Sequence, residues 1–472
     1  MSGYDAVVLV SLDTLRADAL GAAPRPLWPE KYGLTKRPRT DALDRLACGG
    51  AFFAHAISAA PYTSASHGTF FTGRWPLRHG AYEFFNRALA VPTVFTFARA
   101  LGWRTALKTD FPIILGRHLG FDRDVGRYLV EDDAGFLDLA RRERPFLGVA
   151  HFGGLHIPYG FHNLRFGGDE YVRTVEELER EVDEGFHVPG DQLVESYRDE
   201  DDLALLLRYK RVVEYHHSRG HYARLFGLYL EGVERFMRRR FEPFLEALLD
   251  ALAGTRHLVV VFGDHGEEYD EESYGHHNSL SEGVLRVPVI FHGPDVTPGL
   301  HLERIRTVDV LPTLLARLMP DGAPALDGES LAATVWGGAP YPRRRAFAQA
   351  WTSDTAEFVA FQKRLLAEGE RPGPLRHVRY KEAVYDGPWK LTRQEWRYAE
   401  AGGIFGLQPD TPRLRLERCD DSARLSPADD EAVTRDLLAQ LDAYNQIVNP
   451  AGAPVDLDAG LRRQLRAMGY RI

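Results

Sequence analysis

Residues 5–13 read DAVVLVSLD, a short apolar run closed by a carboxylate. Such a run is the pattern of a strand buried on both faces at the centre of a parallel sheet, with a polar residue at its carboxyl end. The pattern recurs along the chain. Residues 40–58 predict a helix followed by a strand, and residues 92–110 predict a helix, a turn at Gly102 and a strand. RPFLGVAHFGG (144–154) is another strand ending in polar residues. Residues 241–266 predict a leucine-rich helix, a stop at Gly254 and the strand HLVVVFGD, and RVPVIFHGP (286–294) adds one more strand. Strands alternating with helices predict a doubly wound α/β domain with a mixed, mostly parallel sheet flanked by helices. In such a fold ligands sit at the carboxyl ends of the strands.

The 472 residues are 44% hydrophobic, enough for a sizeable core. A net charge of -9 leaves no basic footprint for nucleic acid. Two cysteines, Cys48 and Cys419, make neither a disulfide framework nor a zinc cluster. Cys48 is expected as a small buried hydrophobe and Cys419 near the surface. No apolar run approaches the roughly 18 residues of a membrane span. The N-terminus lacks the basic and apolar regions of a signal peptide, so the chain reads as soluble and cytoplasmic.

Residues 160–220 differ in character and are expected to form an inserted or capping segment, with their acidic run on a solvated helix face. The domain plan is therefore a catalytic α/β unit over 1–336, carrying that cap, and a smaller α+β unit over 337–472. In the second unit, paired strands are expected to turn at Asp386-Gly387, and a helix over SPADDEAVTRDLLAQLDAYNQIV to start at Ser426.

Three strand ends are polar in a way that a core does not require. Asp13 closes the first strand, Asp264 and His265 close HLVVVFGD, and His151 and His156 follow FLGVA. His276 and His277 come soon after, in ESYGHHNSL. Acidic residues at strand ends also occur in plain turns. Together, though, carboxylates and imidazoles at one sheet edge point to a divalent cation site of mixed oxygen and nitrogen character. The stretch PYTSASHGTFFTG (61–73) suits a turn and a helix N-terminus, whose free N–H groups favour a tetrahedral oxyanion. A hydroxyl there, beside a cation, is a candidate nucleophile. The plainer alternative is a helix whose Ser and Thr do nothing but cap it.

These segments resemble the sulfatase branch of the alkaline phosphatase superfamily. VVLVSLDTLRADAL is similar to its opening strand and metal aspartate, TSASHGTFFTG to its nucleophile signature, and GDHGEE to its second metal pair. GHHNSLSEGVLRVPVIFHGP, TVDVLPTLLARL, ALDGESL, VYDGPWKL and RLRLERCDDSA follow in the family's order. The resemblance implies an alkaline phosphatase/sulfatase-like fold. It implies Asp13, Asp264, His265 and the Thr63 hydroxyl as metal ligands and Thr63 as nucleophile. His156 falls on a histidine facing the transferred group, and His276 on a position near the leaving group or a second ion. One divalent ion (Mn, Mg, Ca or Zn) is favoured over two.

Departures from the family pattern bear on the substrate. Thr63 stands where sulfatases convert Cys or Ser to formylglycine, and threonine cannot undergo that conversion. His67 takes the arginine position and could touch the transferred group, Ala65 replaces proline, and Asp13-Thr14 replaces a pair of aspartates. Lys108 is only an approximate match to the usual Lys-x-His pair. A threonine nucleophile resembles the phosphoryl-handling branches. The expected enzyme is a metal-dependent hydrolase or transferase of small phosphate esters, such as a phosphodiesterase or phosphotransferase, forming a covalent Thr63 intermediate. A sulfate or phosphonate ester hydrolase without formylglycine is the first alternative, and a non-catalytic binding relative the second. His216, His217 and His221 are expected as exposed helix residues, and His55, His79 and His118 as structural.

Overall fold

The computed structural model describes residues 3–81, 88–89, 91–112, 114–186, 201–276, 279–352, 378–400, 405–420 and 424–446. Eleven short strands build the main sheet and an adjoining hairpin: β1 (Ala6–Leu12), β2 (Ala51–Ile57), β3 (Arg104–Thr109), β4 (Arg127–Val130), β5 (Phe146–Phe152), β6 (His257–Gly263), β7 (Glu268–Tyr269), β8 (Tyr274–Gly275), β9 (Arg286–His292), β10 (Gly299–His301) and β11 (Ile305–Arg306). The sheet order is β10-β2-β9-β6-β1-β5-β3-β4, with β11 on β2, while β7 and β8 pair only with each other. β1 is central and parallel to both neighbours, and β9 is antiparallel to β2 and β6. The apolar run of residues 6–12 is buried throughout, because Val8 and Val10 pack into one helical layer and Val7 and Leu9 into the other. The doubly wound, mixed and mostly parallel sheet is therefore the one expected.

Helices Asp41–Cys48, Val94–Ala100 and Glu242–Leu252 occupy the expected places. Gly102 and Gly254 adopt the left-handed conformation that ends a helix. Cys48 corrects an expectation. It is exposed, because the last turn of its helix buries Leu46 and Ala47 and leaves position 48 facing solvent.

Within residues 160–220, helix Leu164–Glu179 packs against helix Asp201–Ser218. Glu176 and Glu177 lie exposed, and Glu179 pairs with Arg208 across the two helices. His216 is buried, against expectation. Its Nδ1 lies 3.1 Å from His221 Nδ1 and its Nε2 3.0 Å from Glu181 Oε2.

The C-terminal unit is a separate antiparallel sheet, ordered β12 (Ala346–Thr352), β13 (Val378–Asp386), β14 (Trp389–Glu400), β15 (Phe405–Cys419) and β16 (Leu425–Pro427), with helix Glu431–Asn445 against it. The turn at Asp386-Gly387 is present, with Gly387 left-handed. Ser426 does not cap the helix, since it lies in β16. Asp430 does so, its carboxylate accepting the Val433 N–H at 3.0 Å. Asp430→Ala is expected to cost about 1 kcal/mol in denaturant unfolding of this unit, as for other N-cap carboxylates.

Candidate active site

The register of β1 fixes the centre of the site. Leu12 pairs with Gly263 on one side and Phe152 on the other, so Asp13 and Asp264 emerge side by side one residue beyond the sheet. Thr14 then turns left-handed, at φ 60°, a costly conformation for a β-branched residue. Tyr229 Oη holds it there by donating to the Thr14 carbonyl at 2.8 Å. The turn aims the Thr14 N–H at Asp264 Oδ1, 3.1 Å away, and His265 N donates to the same oxygen at 2.8 Å. One Asp264 oxygen is thus satisfied by two amides. Among the described residues, the other, and both oxygens of Asp13, are buried without a hydrogen-bond partner.

His265 Nε2 stands 3.4 Å from Asp13 Oδ1 and 3.5 Å from Asp264 Oδ2. Among the described residues, Asp13, Asp264 and His265 form the one cluster of three ligand atoms lying within 4.8 Å of one another. Burial alone would raise the Asp13 carboxyl, but the nearby His151, His156 and His265 hold it below its ordinary range. Burial, aided by the Asp13 charge, pushes Asp264 upward. Two converging buried carboxylates with unsatisfied oxygens fit a divalent cation, whose charge would let both ionise.

Helix Thr63–Thr72 begins at the edge of this cluster and is buried along its whole length. Its hydroxyls separate cleanly. Ser64 Oγ donates to the Ile114 carbonyl, Ser66 Oγ to the Asp264 carbonyl at 2.7 Å, Thr69 Oγ1 to Ala65 and Thr72 Oγ1 to Gly68. Thr63 Oγ1 instead lies 3.3 Å from His265 Nε2, the nitrogen that also approaches both carboxylates. The sequence stretch therefore presents one hydroxyl to the cluster and spends the rest on backbone carbonyls.

His67, one turn along that helix from Thr63, is fully buried. Its Nδ1–H donates to the Thr63 carbonyl at 2.8 Å and its Nε2 accepts from Ser11 Oγ at 2.7 Å. Burial pushes its pKa down to about 3, so the ring is neutral. With both nitrogens engaged, it supports the turn that carries Thr63. His151 lies alongside, its Nε2 3.7 Å from Asp13 Oδ2 and its Nδ1 3.2 Å from Thr109 Oγ1.

His276 is reached through hairpin β7–β8. Its ring centroid is 4.3 Å from that of His265 and 5.2 Å from that of His156, and its Nδ1 lies 3.0 Å from Glu267 Oε2. His156 is half-buried, with Nδ1–H on the Ile157 carbonyl at 2.9 Å, and burial lowers its pKa. His277 lies outside the described residues. His79 is structural, bound between the first and last turns of the Thr63 helix and the Ala81 amide.

Lys108 does not reach the cluster. It is fully buried, with Nζ 2.7 Å from Asp110, 2.8 Å from Asp133 and 3.1 Å from the His151 carbonyl, and it sits over the Phe152 ring. Arg240 closes the network by bonding both aspartates. Burial would raise the Asp110 carboxyl, yet Lys108 and Arg240 hold it well below its ordinary range. Lys108→Met breaks this buried network and is expected to cost about 3 kcal/mol in urea unfolding. Four participants escaped the sequence reading: Ser11, Thr14, Tyr229 and Glu267. Ser11, the one polar residue of the first apolar run, was a usable signal, and Glu267 was quoted in GDHGEE without a role.

A comparison with known families decides membership. The Sulfatase family model matches residues 5–319. The chain belongs to the Sulfatase family. A choline-sulfatase of Rhizobium meliloti is 37% identical over 97 residues, 19% of each chain. A low-salt glycan biosynthesis sulfotransferase of Haloferax volcanii is 25% identical over 371 residues, covering 74% of this chain and 68% of that one. The chain thus spans about a fifth of the first relative's length and about two thirds of the second's. Among solved structures, the phosphonate monoester hydrolase of Silicibacter pomeroyi superposes with a TM-score of 0.55 at 15% identity, over 99% of this chain and 96% of that one. That likeness establishes the alkaline phosphatase-type fold of this Sulfatase family member. Among the described residues, no helix is long and apolar enough to cross a membrane.

Proposed function

We propose that this protein is a metal-dependent hydrolase or transferase of small phosphate esters that uses Thr63 as its nucleophile. The observation that carries the reading is the placement of the Thr63 hydroxyl, alone among those of its helix, at 3.3 Å from His265 Nε2, the same nitrogen that approaches the carboxylates of Asp13 and Asp264. Those three residues and Thr63 Oγ1 would hold one divalent cation. Three oxygens and one nitrogen suit Mn²⁺, Mg²⁺ or Ca²⁺, and Zn²⁺ is admitted by the imidazole. When bound, such an ion lowers the pKa of a neighbouring hydroxyl and offsets charge on the ester oxygens.

The chain's own residues then divide the work. Thr63 Oγ attacks phosphorus in line, the Oγ–P bond forms and the bond to the leaving oxygen breaks. Free amides at the start of the Thr63 helix face the non-bridging oxygens. His276 or His156 gives a proton to the leaving oxygen. Of the two, His276 has a carboxyl partner, Glu267, to fix its ring. His67 steadies the turn beneath Thr63. Water or an acceptor alcohol afterwards attacks the phosphorylated Thr63 and frees the hydroxyl.

A second reading, a sulfate or phosphonate ester hydrolase without formylglycine, is favoured by the family itself and by the sulfatase relatives. Against sulfate stand the threonine at position 63, the neutral His67 in the arginine position and the confinement of Lys108. The test is a side-by-side comparison of nitrophenyl phosphate, phosphodiester, phosphonate and sulfate with added Mn²⁺. Faster turnover of the phosphorus esters is expected. A clear preference for sulfate, lost in Thr63→Ala, replaces the first reading with the second.

A further inference from the structure

Helix Tyr222–Phe236 carries none of the residues that would hold the cation, yet one of its side chains reaches the turn on which the cluster is built. Its buried face repeats at helical spacing through Leu225, Phe226, Tyr229, Val233 and Phe236. Tyr229 is fully buried. Its ring stands edge-on to Tyr159, centroids 5.7 Å apart, and is tilted against Phe226 at 5.5 Å. The phenol oxygen meets the turn that follows β1.

A phenol can donate once and accept as well, and both capacities are used on this one turn. The Tyr229 hydroxyl donates to the Thr14 carbonyl at 2.8 Å and accepts the Arg16 N–H at 3.2 Å, so it brackets residues 14–16. Thr14 sits inside that bracket at φ 60°, a conformation that a β-branched residue leaves unless its surroundings hold it. Its own side chain does not hold it, since among the described residues the buried Thr14 hydroxyl has no hydrogen-bond partner. What the strained residue supplies is its N–H, 3.1 Å from Asp264 Oδ1. It also follows Asp13 directly in the chain. One turn therefore sets both carboxylates, Asp13 by covalent connection and Asp264 by hydrogen bond. With Oδ1 so engaged, Asp264 Oδ2 is the oxygen that approaches His265 Nε2, at 3.5 Å.

We propose that Tyr229 is a positioning residue of the cation site: its hydroxyl holds Thr14 in the left-handed turn, and so sets the affinity with which Asp13, Asp264 and His265 take up a divalent ion. Without the hydroxyl, Thr14 relaxes towards an ordinary negative φ and withdraws its N–H from Asp264. The carboxylate then keeps only the His265 amide and is free to rotate out of the cluster. Groups that orient a metal ligand without touching the ion typically carry about a 10- to 100-fold share of metal affinity. This inference rests on the cation-site part of the reading above, and needs neither the nucleophile nor the identity of the ester.

The test is calorimetric titration of Mn²⁺ into the metal-free full chain. Tyr229→Phe keeps the ring and its packing, and is expected to raise the Kd for Mn²⁺ about 10- to 100-fold. Glycine adopts a positive φ without a clamp. In a Thr14→Gly chain, adding Tyr229→Phe is therefore expected to raise Kd by less than about threefold, a dependence between the two positions that a general loss of packing would not produce. Melting curves of the metal-free proteins read the structural cost of the lost hydroxyl separately from the affinity. An unchanged Kd in Tyr229→Phe overturns the proposal. So does an equal loss in the threonine and glycine backgrounds, which would show that the tyrosine acts elsewhere than on Thr14. A wild type that takes up neither Mn²⁺ nor Zn²⁺ overturns the cation site itself, whereas a wild type that binds with a Kd indifferent to Tyr229 overturns the positioning role and leaves the site standing.

Discussion

Thr63→Ala is expected to lower kcat by at least about a thousandfold, the scale seen when a nucleophile is removed from an otherwise intact site. The remaining amides, imidazoles and cation ligands would still bind the ester, so KM should move far less than kcat. Thr63→Ser keeps a hydroxyl at the same helix position and should retain measurable turnover. The two variants also separate chemistry from architecture. The Thr63 side chain makes one long contact beyond its helix, to His265 Nε2 at 3.3 Å, whereas Ser64 and Ser66 anchor the helix to the carbonyls of Ile114 and Asp264. Thermal stability of Thr63→Ala should therefore stay close to wild type. Mass spectrometry of protein quenched during turnover should find a phosphoryl group on the peptide containing residue 63. A Thr63→Ala protein that keeps its rate, or an adduct on Ser64 or Ser66, would refute the assignment.

Asp13→Asn is expected to abolish stoichiometric metal binding. Loss of a residue that merely supports a ligand weakens metal affinity about 10–100-fold, and loss of a charged ligand should exceed that. In wild type, a metal at 100 times its Kd should stabilise the fold by about 2.7 kcal/mol, and this increment should vanish in the variant. Metal analysis of the purified protein and melting curves with Mn²⁺ or chelator read both effects. A wild type that takes up no ion, and gains no activity with Mn²⁺ or Zn²⁺, would favour a non-catalytic binding relative.

Much of the fold was legible because strand burial leaves a plain mark. The runs at 5–13, 144–154 and 257–263 are apolar without alternation, since each strand is covered on both faces. Boundaries that depend on a single side chain were harder to read. Ser426 and Asp430 both precede the same helix, and the pairing of β16 with β15 decides between them. Cys48 misled because residue type predicts average burial, whereas its exposure depends on where the last turn of its helix faces.

The sequence by itself determined the sheet, the family and the identity of the residues at the strand ends, because those properties reside in local pattern and ordered motifs. The roles within the site came from tertiary structure. Asp13 and Asp264 are separated by 250 residues and become neighbours through the β1–β6 register. His67 and Thr63, four residues apart on one helix, part company because the helix turns one towards Ser11 and the other towards His265. Lys108 lies next to a strand end and is still withheld from the cluster, because Asp110, Asp133 and Arg240 neutralise it in the core. Charge and hydrogen-bonding capacity are written in residue type, but which partner uses them depends on distances that only the folded chain fixes.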